Sequence, residues 1–268
     1  MAISVCMKMS ELLKTSIPVV RLFQCRTLRN LLAVSESGLV IPLSPVASGA
    51  PVLWMIHPAL VGAEVFYPLA QEFQGRMNCQ GIDNHNLYHQ PTISSLGALA
   101  DRYLDEMIVN GLQVDTGRVH ILGWSLGGLI ALEIAAKLEQ RGATAVSLYL
   151  LDSFYQQGTA EIPLAALLPV LGLTGAAAER ARRVAEVEEQ LSQGQLSVKL
   201  QATTVTLFKA MQANPQLPGS AMKSLVAVAD NGLGAACSQL SVVPLACHHH
   251  NILESSDEII RVITGSII

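Results

Sequence analysis

Short apolar runs alternate along this chain with longer stretches whose apolar positions recur every three or four residues. Val52–Ile56, Val119–Leu122 and Val146–Leu151 are runs of the buried-strand type, and Met77–Ile82 is a weaker one. Between them, residues 62–74, 94–112 and 126–141 predict helices. The second is the clearest, with Leu96, Leu99, Tyr103, Met107 and Ile108 on one side, and Gly142 closes the third. Further on, 204–211 and 239–245 predict strands and 257–267 a closing helix. Strands alternating with helices imply a parallel sheet covered on both faces, so the predicted fold class is α/β.

Two stretches break this rhythm. Residues 156–203 hold helical segments (164–171 and 176–193) and no strand, and an insertion of this kind between core strands is expected to form a helical lid over a site. At the N-terminus, residues 2–14 have helical spacing through Ile3, Met7 and Leu12 or Leu13. Pro18 stops that helix, and Thr27 is the expected N-cap of a second over 27–33. Residues 34–50 are rich in Ser, Gly and Pro and predict a linker that includes a first strand at Leu39–Leu43. The expected organisation is an N-terminal helical segment and linker over 1–36, then one domain over 37–268.

The 268 residues suffice for one large domain with a full core. Half are hydrophobic and 14% charged, which raises the question of a membrane protein. The mean hydropathy of +0.40 does so too. No uninterrupted apolar stretch of about 18–20 residues exists, however, so no membrane span is expected and the hydropathy reads as a deep core plus an apolar substrate surface. A net charge of −4 without a basic run gives no reason to expect nucleic acid. Cys6, Cys25, Cys79, Cys237 and Cys247 are odd in number and scattered, with no CxxC pair. They argue against a disulfide framework and for a reducing, cytoplasmic setting. Lys8, Glu11 and Lys14 interrupt any apolar core of a signal peptide.

The strongest local signal is Gly123-Trp124-Ser125-Leu126-Gly127, followed by Gly128. It matches G-x-S-x-G, with an apolar strand before it and an amphipathic helix (Leu129, Ile130, Leu132, Ile134, Ala135) after it. This is the context of a nucleophile elbow. A sharp strand-to-helix turn strains the Ser backbone, glycines on both sides remove side chains where the chain crowds, and Ser125 Oγ is expected to stand clear. The backbone N–H of Leu126, at the helix N-terminus, is placed to stabilise an oxyanion. The competing reading is a helix-capping Ser in a Gly-rich turn.

A nucleophilic Ser needs a base, and the base an orienting acid. In α/β-hydrolases the order is Ser, acid, His. His248, His249 and His250 follow Ser125, directly after a predicted strand. Three consecutive side chains cannot converge on one ion in strand or turn geometry, so no metal is expected. For the acid, Asp152 ends the strand after the nucleophile helix, on the same edge as Ser125. Asp230 is the rival, because many such enzymes carry the acid one strand later. His57 lies at a strand end beside Pro58, where it suits a loop-shaping role better than a base. His85, His89 and His120 read as surface or satisfied polar groups.

Together these residues resemble the thioesterase domains that end nonribosomal peptide and polyketide synthases. Val52-Leu53-Trp54-Met55-Ile56-His57-Pro58-Ala59, with Gly62 and Tyr67, is similar to that family's strand, His-Pro-Ala and oxyanion loop. Gly123-Trp124-Ser125-Leu126-Gly127-Gly128 matches Gly-Trp/Tyr-Ser-x-Gly-Gly, and Leu150-Leu151-Asp152-Ser153 matches Leu-Asp-Ser. The family base is followed by two residues and two aliphatics, which selects His249 in His249-His250-Asn251-Ile252-Leu253. The resemblance, over about residues 38–268, thus implies an α/β-hydrolase fold with Ser125, Asp152 and His249 as the triad. It also implies oxyanion donors at the N–H of Leu126 and of Ala59 or Leu60. The chain departs from the pattern where Cys247-His248 replaces Gly-Asp before the base. It departs again where Gly232-Leu233 replaces Gly-Trp, which implies an altered pocket wall. Residues 2–33, through Ile17-Pro18, Leu22-Phe23 and Thr27-Leu28-Arg29-Asn30-Leu31, resemble the second half of a carrier protein.

The resemblance implies a thioesterase that takes an acyl or peptidyl chain from the phosphopantetheine arm of a carrier-protein domain, upstream or in trans. Release then proceeds through an acyl-serine and ends in hydrolysis or macrocyclisation. No cofactor is expected in the chain itself. The other readings open at this point are a stand-alone esterase or lipase-like hydrolase, a proofreading thioesterase, and an inactive docking module.

Overall fold

A computed structural model describes residues 2–13, 17, 19, 38–73, 75–114, 117–155, 164–165, 168, 175–194, 198–215 and 226–266. Among them seven strands form one sheet: β1 (Val40–Pro42), β2 (Val52–Ile56), β3 (Asn78–Ile82), β4 (Val119–Trp124), β5 (Val146–Leu151), β6 (Leu200–Gln212) and β7 (Cys237–His248). The spatial order is β1-β3-β2-β4-β5-β6-β7. Only β1 runs antiparallel to its neighbour, β3; the other pairs are parallel. The helices are α1 (Ala2–Leu13), α2 (Tyr67–Glu72), α3 (His85–Tyr88), α4 (Leu96–Val109), α5 (Leu126–Gln140), α6 (Gly175–Ser192) and α7 (Ser256–Gly265). Single 3-10 stretches, Ala63–Phe66 and His249–Ser255, precede α2 and α7.

The sheet is apolar on both faces because successive side chains point to opposite sides and both sides are covered. Trp54, Ile56, Ile121, Leu148, Leu150 and Leu207 pack against Leu99, Tyr103, Leu129 and Ile130 of α4 and α5. Leu53, Met55, Leu122, Tyr149, Leu151 and Phe208 face the other way, onto Phe66, Phe73, Ile259 and Ile263. Each such buried side chain contributes roughly 2 kcal/mol by removal from water, so the two layers clamp the central strands. A third cluster joins Cys6 and Val19 to Leu60, Leu87, Tyr88, Val184 and Ala185. It places α1 and α6 over the loop that follows β2. Cys6, Cys79, Cys237 and Cys247 are buried free thiols. Among the described residues no helix is long and apolar enough to cross a membrane.

The predicted elements recur with three differences. Residues 62–74 are split: a 3-10 turn comes first, and α2 starts afresh with Pro68 in its first turn, the place where proline's missing N–H costs nothing. Helix α3 was not predicted, since four residues carry no periodicity; Asn84 caps it by accepting from the Leu87 N–H at 3.0 Å. Strands β6 and β7 run well beyond 204–211 and 239–245, because they pair with each other across two register shifts. Within the predicted lid, α6 matches the expected 176–193, while most of 164–171 lies outside the described residues, as does the second N-terminal helix at 27–33.

Candidate active site

Strand order reverses between β2 and β4, with β3 on one side of β2 and β4 on the other. In a parallel sheet this switch point opens a crevice beyond the C-terminal strand ends. His57–Val61 leaves β2 there and Ser125 leaves β4. Asp152 and His249 follow β5 and β7 on the same edge.

Ser125 has φ 55° and ψ −122°, a backbone region that a non-glycine residue holds only when its surroundings over-determine it. Close approaches do so here. A Cβ on Gly127 would lie 2.3 Å from Ile56 O and 2.4 Å from His57 O, and one on Gly123 would lie 2.4 Å from Gly127 O. The Ser125 N–H donates to Leu151 O at 3.1 Å, tying the turn to the end of β5. Ser125 stands at the N-cap position of α5, yet its side chain makes no capping hydrogen bond. The helix therefore does not consume the hydroxyl, and the residue is half-buried rather than sealed off. Leu126 opens α5, where first-turn N–H groups lack helical partners and the dipole favours negative charge.

Asp152 is buried, with φ 42°. Its Oδ2 meets His249 Nδ1 at 2.9 Å. Its Oδ1 accepts from the Ala210 N–H at 3.1 Å and from Asn231 Nδ2 at 3.0 Å. Burial alone pushes the carboxyl up, but the hydrogen bonds from His249, Asn231 and Ala210 outweigh it and hold the group below its ordinary range. The His249 ring lies between Trp124 and Phe154, with centroids 6.0 Å and 5.9 Å away, so it is lodged against the residue that precedes Ser125. With Nδ1 committed to Asp152, Nε2 is the nitrogen left for proton transfer. Among the described residues no hydrogen bond reaches the Ser125 hydroxyl.

Geometry separates the sequence alternatives. Of the three histidines, His249 is the one that meets Asp152. His250 Nδ1 faces Asn214 Nδ2 at 3.2 Å, and the His248 backbone N–H donates to Asn251 Oδ1 at 2.8 Å. The rival acid Asp230 accepts from the Gly232 and Gly234 N–H groups at 2.9 and 3.0 Å, closing its own turn. His57 is fully buried. Its Nδ1 donates to Pro58 O at 2.8 Å and its Nε2 accepts from Tyr103 Oη at 2.6 Å, and burial depresses it to about 4. It is thus a neutral brace under the loop after β2. The two alternative donors on that loop differ: the Leu60 N–H is already given to Glu188 Oε2 at 2.6 Å.

Sequence reading missed Glu188, Lys209 and Asn231. Glu188 Oε1 also accepts from Asn84 Nδ2 at 2.8 Å, and desolvation pushes this buried carboxyl up to about 7. Lys209 Nζ donates to Asn231 Oδ1 at 2.5 Å. A signal for two of them was present: Glu188 falls in the buried stripe of α6 (Ala181, Val184, Ala185, Leu191), and Lys209 interrupts an apolar strand. Asn231 carries no such mark.

A strained serine on a strand-to-helix elbow and a carboxylate–imidazole pair on the same edge of a parallel sheet define an α/β-hydrolase of the serine type. The family profile for the thioesterase domain matches residues 51–264, and the chain belongs to that family. Over 123 residues, 46% of this chain, it is 29% identical to "Polyketide synthase PksR" of Bacillus subtilis. Over 104 residues, 38% of this chain, it is 30% identical to "Thioesterase TesA" of Mycobacterium marinum. It spans 5% of the first relative's length and 41% of the second's. Among solved structures, the NocB thioesterase domain from the nocardicin cluster superposes with a TM-score of 0.64 at 20% identity, covering 85% of this chain and 99% of that one. The thioesterase domain that cyclises the lipopeptide antibiotic surfactin gives 0.55 at 16% identity, covering 80% and 90%. At these identities the likeness is one of fold.

Proposed function

We propose that this domain releases an acyl or peptidyl chain from the phosphopantetheine thioester of a carrier domain through an acyl-serine at Ser125. The observation that carries the mechanism is the Asp152–His249 hydrogen bond at 2.9 Å beside the elbow. His249 Nε2 removes the Ser125 proton as Oγ attacks the thioester carbonyl, and Asp152 stays ionised and stabilises the imidazolium. The developing oxyanion is met by the N–H groups of Leu126 and Ala59, each contributing roughly 3 kcal/mol to the transition state. Leu60, whose N–H is held by Glu188, takes no part in this arrangement. Collapse breaks the C–S bond, His249 returns its proton to the leaving thiolate, and the acyl-serine remains. A water, or an amine or hydroxyl within the chain, is then deprotonated by His249 and attacks the ester; the acyl C–Oγ bond breaks and His249 returns the proton to Ser125 Oγ, giving hydrolysis or ring closure.

The carrier partner is supported by the match to a polyketide synthase. The test is intact-mass spectrometry of the purified chain with acyl- and peptidyl-pantetheine thioesters. A mass increment of one acyl group on the protein, lost in Ser125→Ala, is expected. Turnover retained by Ser125→Ala would end the assignment, and a marked preference for oxygen esters would redirect it to the stand-alone esterase.

A further inference from the structure

The loop that supplies the rival acid in the sequence reading performs a different task here. Asn231 and Lys209 are 4% and 3% exposed, deep beneath the end of the sheet. Asn231 Nδ2 donates to Asp152 Oδ1 at 3.0 Å and to Ser153 O at 3.1 Å, while its Oδ1 accepts from Lys209 Nζ at 2.5 Å. Both N–H donors and the carbonyl oxygen of the amide are engaged. An ammonium can only donate and an ionised carboxylate can only accept, so the amide has one workable orientation. Turned over, its oxygen would face the Asp152 carboxylate and its NH2 the Lys209 ammonium, and both contacts would repel.

The backbone is bolted in the same place. Asn231 has φ 53°, which asparagine tolerates better than most residues. Its carbonyl accepts from the Tyr155 N–H at 2.8 Å. A Cβ on Gly232 would stand 1.9 Å from Tyr155 O, so the 230–232 turn sits flush on the loop that carries Asp152. Resting on the reading of Asp152 and His249 as acid and base, we propose that Lys209 and Asn231 are positioning residues. They form a chain, Lys209 to Asn231 to Asp152, that fills Oδ1 with donors, keeps the carboxylate ionised and reserves Oδ2 for His249. They thereby hold the imidazole in place through Asp152, and fix the charge behind that carboxylate, without touching substrate.

Besides Lys209, the titratable groups that face Asp152 are Cys247 in β7 and His249 and His250 just after it, and those that face Lys209 are Asp152 and Asp230. All of them persist in the variants Lys209→Met and Asn231→Asp. Each variant makes the surroundings of Asp152, the partner of His249, more negative by one charge: the first removes the ammonium and frees the amide to turn, the second adds a carboxylate beside Asp152. The experiment is the pH dependence of kcat/KM toward an acyl-pantetheine thioester, with urea midpoints and with Asp152→Asn in parallel.

In both variants the ascending limb is expected at higher pH, kcat is expected to fall by about 10–100-fold as for other supporting partners, and KM is expected to stay within a few-fold. A fall in rate with the limb unmoved, or no change at all, overturns the proposal. If Asp152→Asn keeps full activity, the acid assignment itself has failed; if Asp152→Asn is crippled while the other two match the parent protein, only the positioning role has. Asn231→Asp is nearly isosteric and keeps its Lys209 partner, so it alone decides the matter should Lys209→Met fail to fold.

Discussion

Replacing Glu188 by Gln should change how stability depends on pH. The carboxyl is 1% exposed and accepts the Leu60 N–H and the Asn84 amide. Burial moves it from 4.5 to about 7, so the folded protein holds a proton there that the unfolded chain has already lost. Between those two pH values the native state binds more protons, and stability therefore falls as pH rises. Each unit is worth about 1.4 kcal/mol, so the decline from this one group approaches about 3.5 kcal/mol and is complete above the folded value. The Gln side chain can still accept from Leu60, but its NH2 faces the Asn84 amide, and that mismatch costs the same at every pH. Glu64, whose carboxyl burial also pushes up to about 7, is present in both proteins. The difference between the two pH slopes therefore isolates Glu188. Urea unfolding at pH 5 and pH 8 is the assay, and the parent should lose about 2–3 kcal/mol more than Glu188→Gln over that interval. Parallel declines in the two proteins would refute the burial argument.

Three other outcomes are expected. Asp152→Asn should lower kcat by a factor on the order of 10⁴, because an amide no longer holds the imidazole in its working tautomer; steady-state kinetics reads this, and a loss under tenfold would count against the triad. His249→Ala should cost far more activity than His248→Ala or His250→Ala, since only His249 touches Asp152; labelling rates with a fluorophosphonate probe rank the three, and the opposite ranking would move the base. Gly127→Ala should destabilise the fold by about 2 kcal/mol or more, as its Cβ would press on Ile56 O and His57 O at 2.3 and 2.4 Å; the midpoint of a urea titration checks it, and an unchanged midpoint would mean the elbow yields.

The features legible in the sequence are those written locally. The elbow announces itself because strand, glycines and helix are contiguous from Val119 to Gln140, and the alternation of Leu53 and Met55 with Trp54 and Ile56 already sorts side chains to two faces. Asp152 was legible as a strand end, and His249 needed the family pattern to be chosen from its neighbours. What remained hidden depends on pairing at a distance. The true lengths of β6 and β7 follow from their mutual ladder, which no single stretch encodes. The Leu60–Glu188 bond joins residues 128 apart, and Asn231 reaches Asp152 across 79. A charged residue inside an apolar stripe signals that a partner exists, but only the folded chain names it.

The reactive centre is also spread out in time. Asp152 and His249 are 97 residues apart, and the strand that delivers the imidazole is an edge strand of the sheet and the last in the chain. A chain emerging from the ribosome shows its elbow well before β7 exists. If His249 is the base, the serine has no partner to take its proton until β7 docks on β6. On the proposed mechanism, nascent or half-assembled protein is chemically quiet, and the power to break an acyl bond arrives only with the final piece of the sheet.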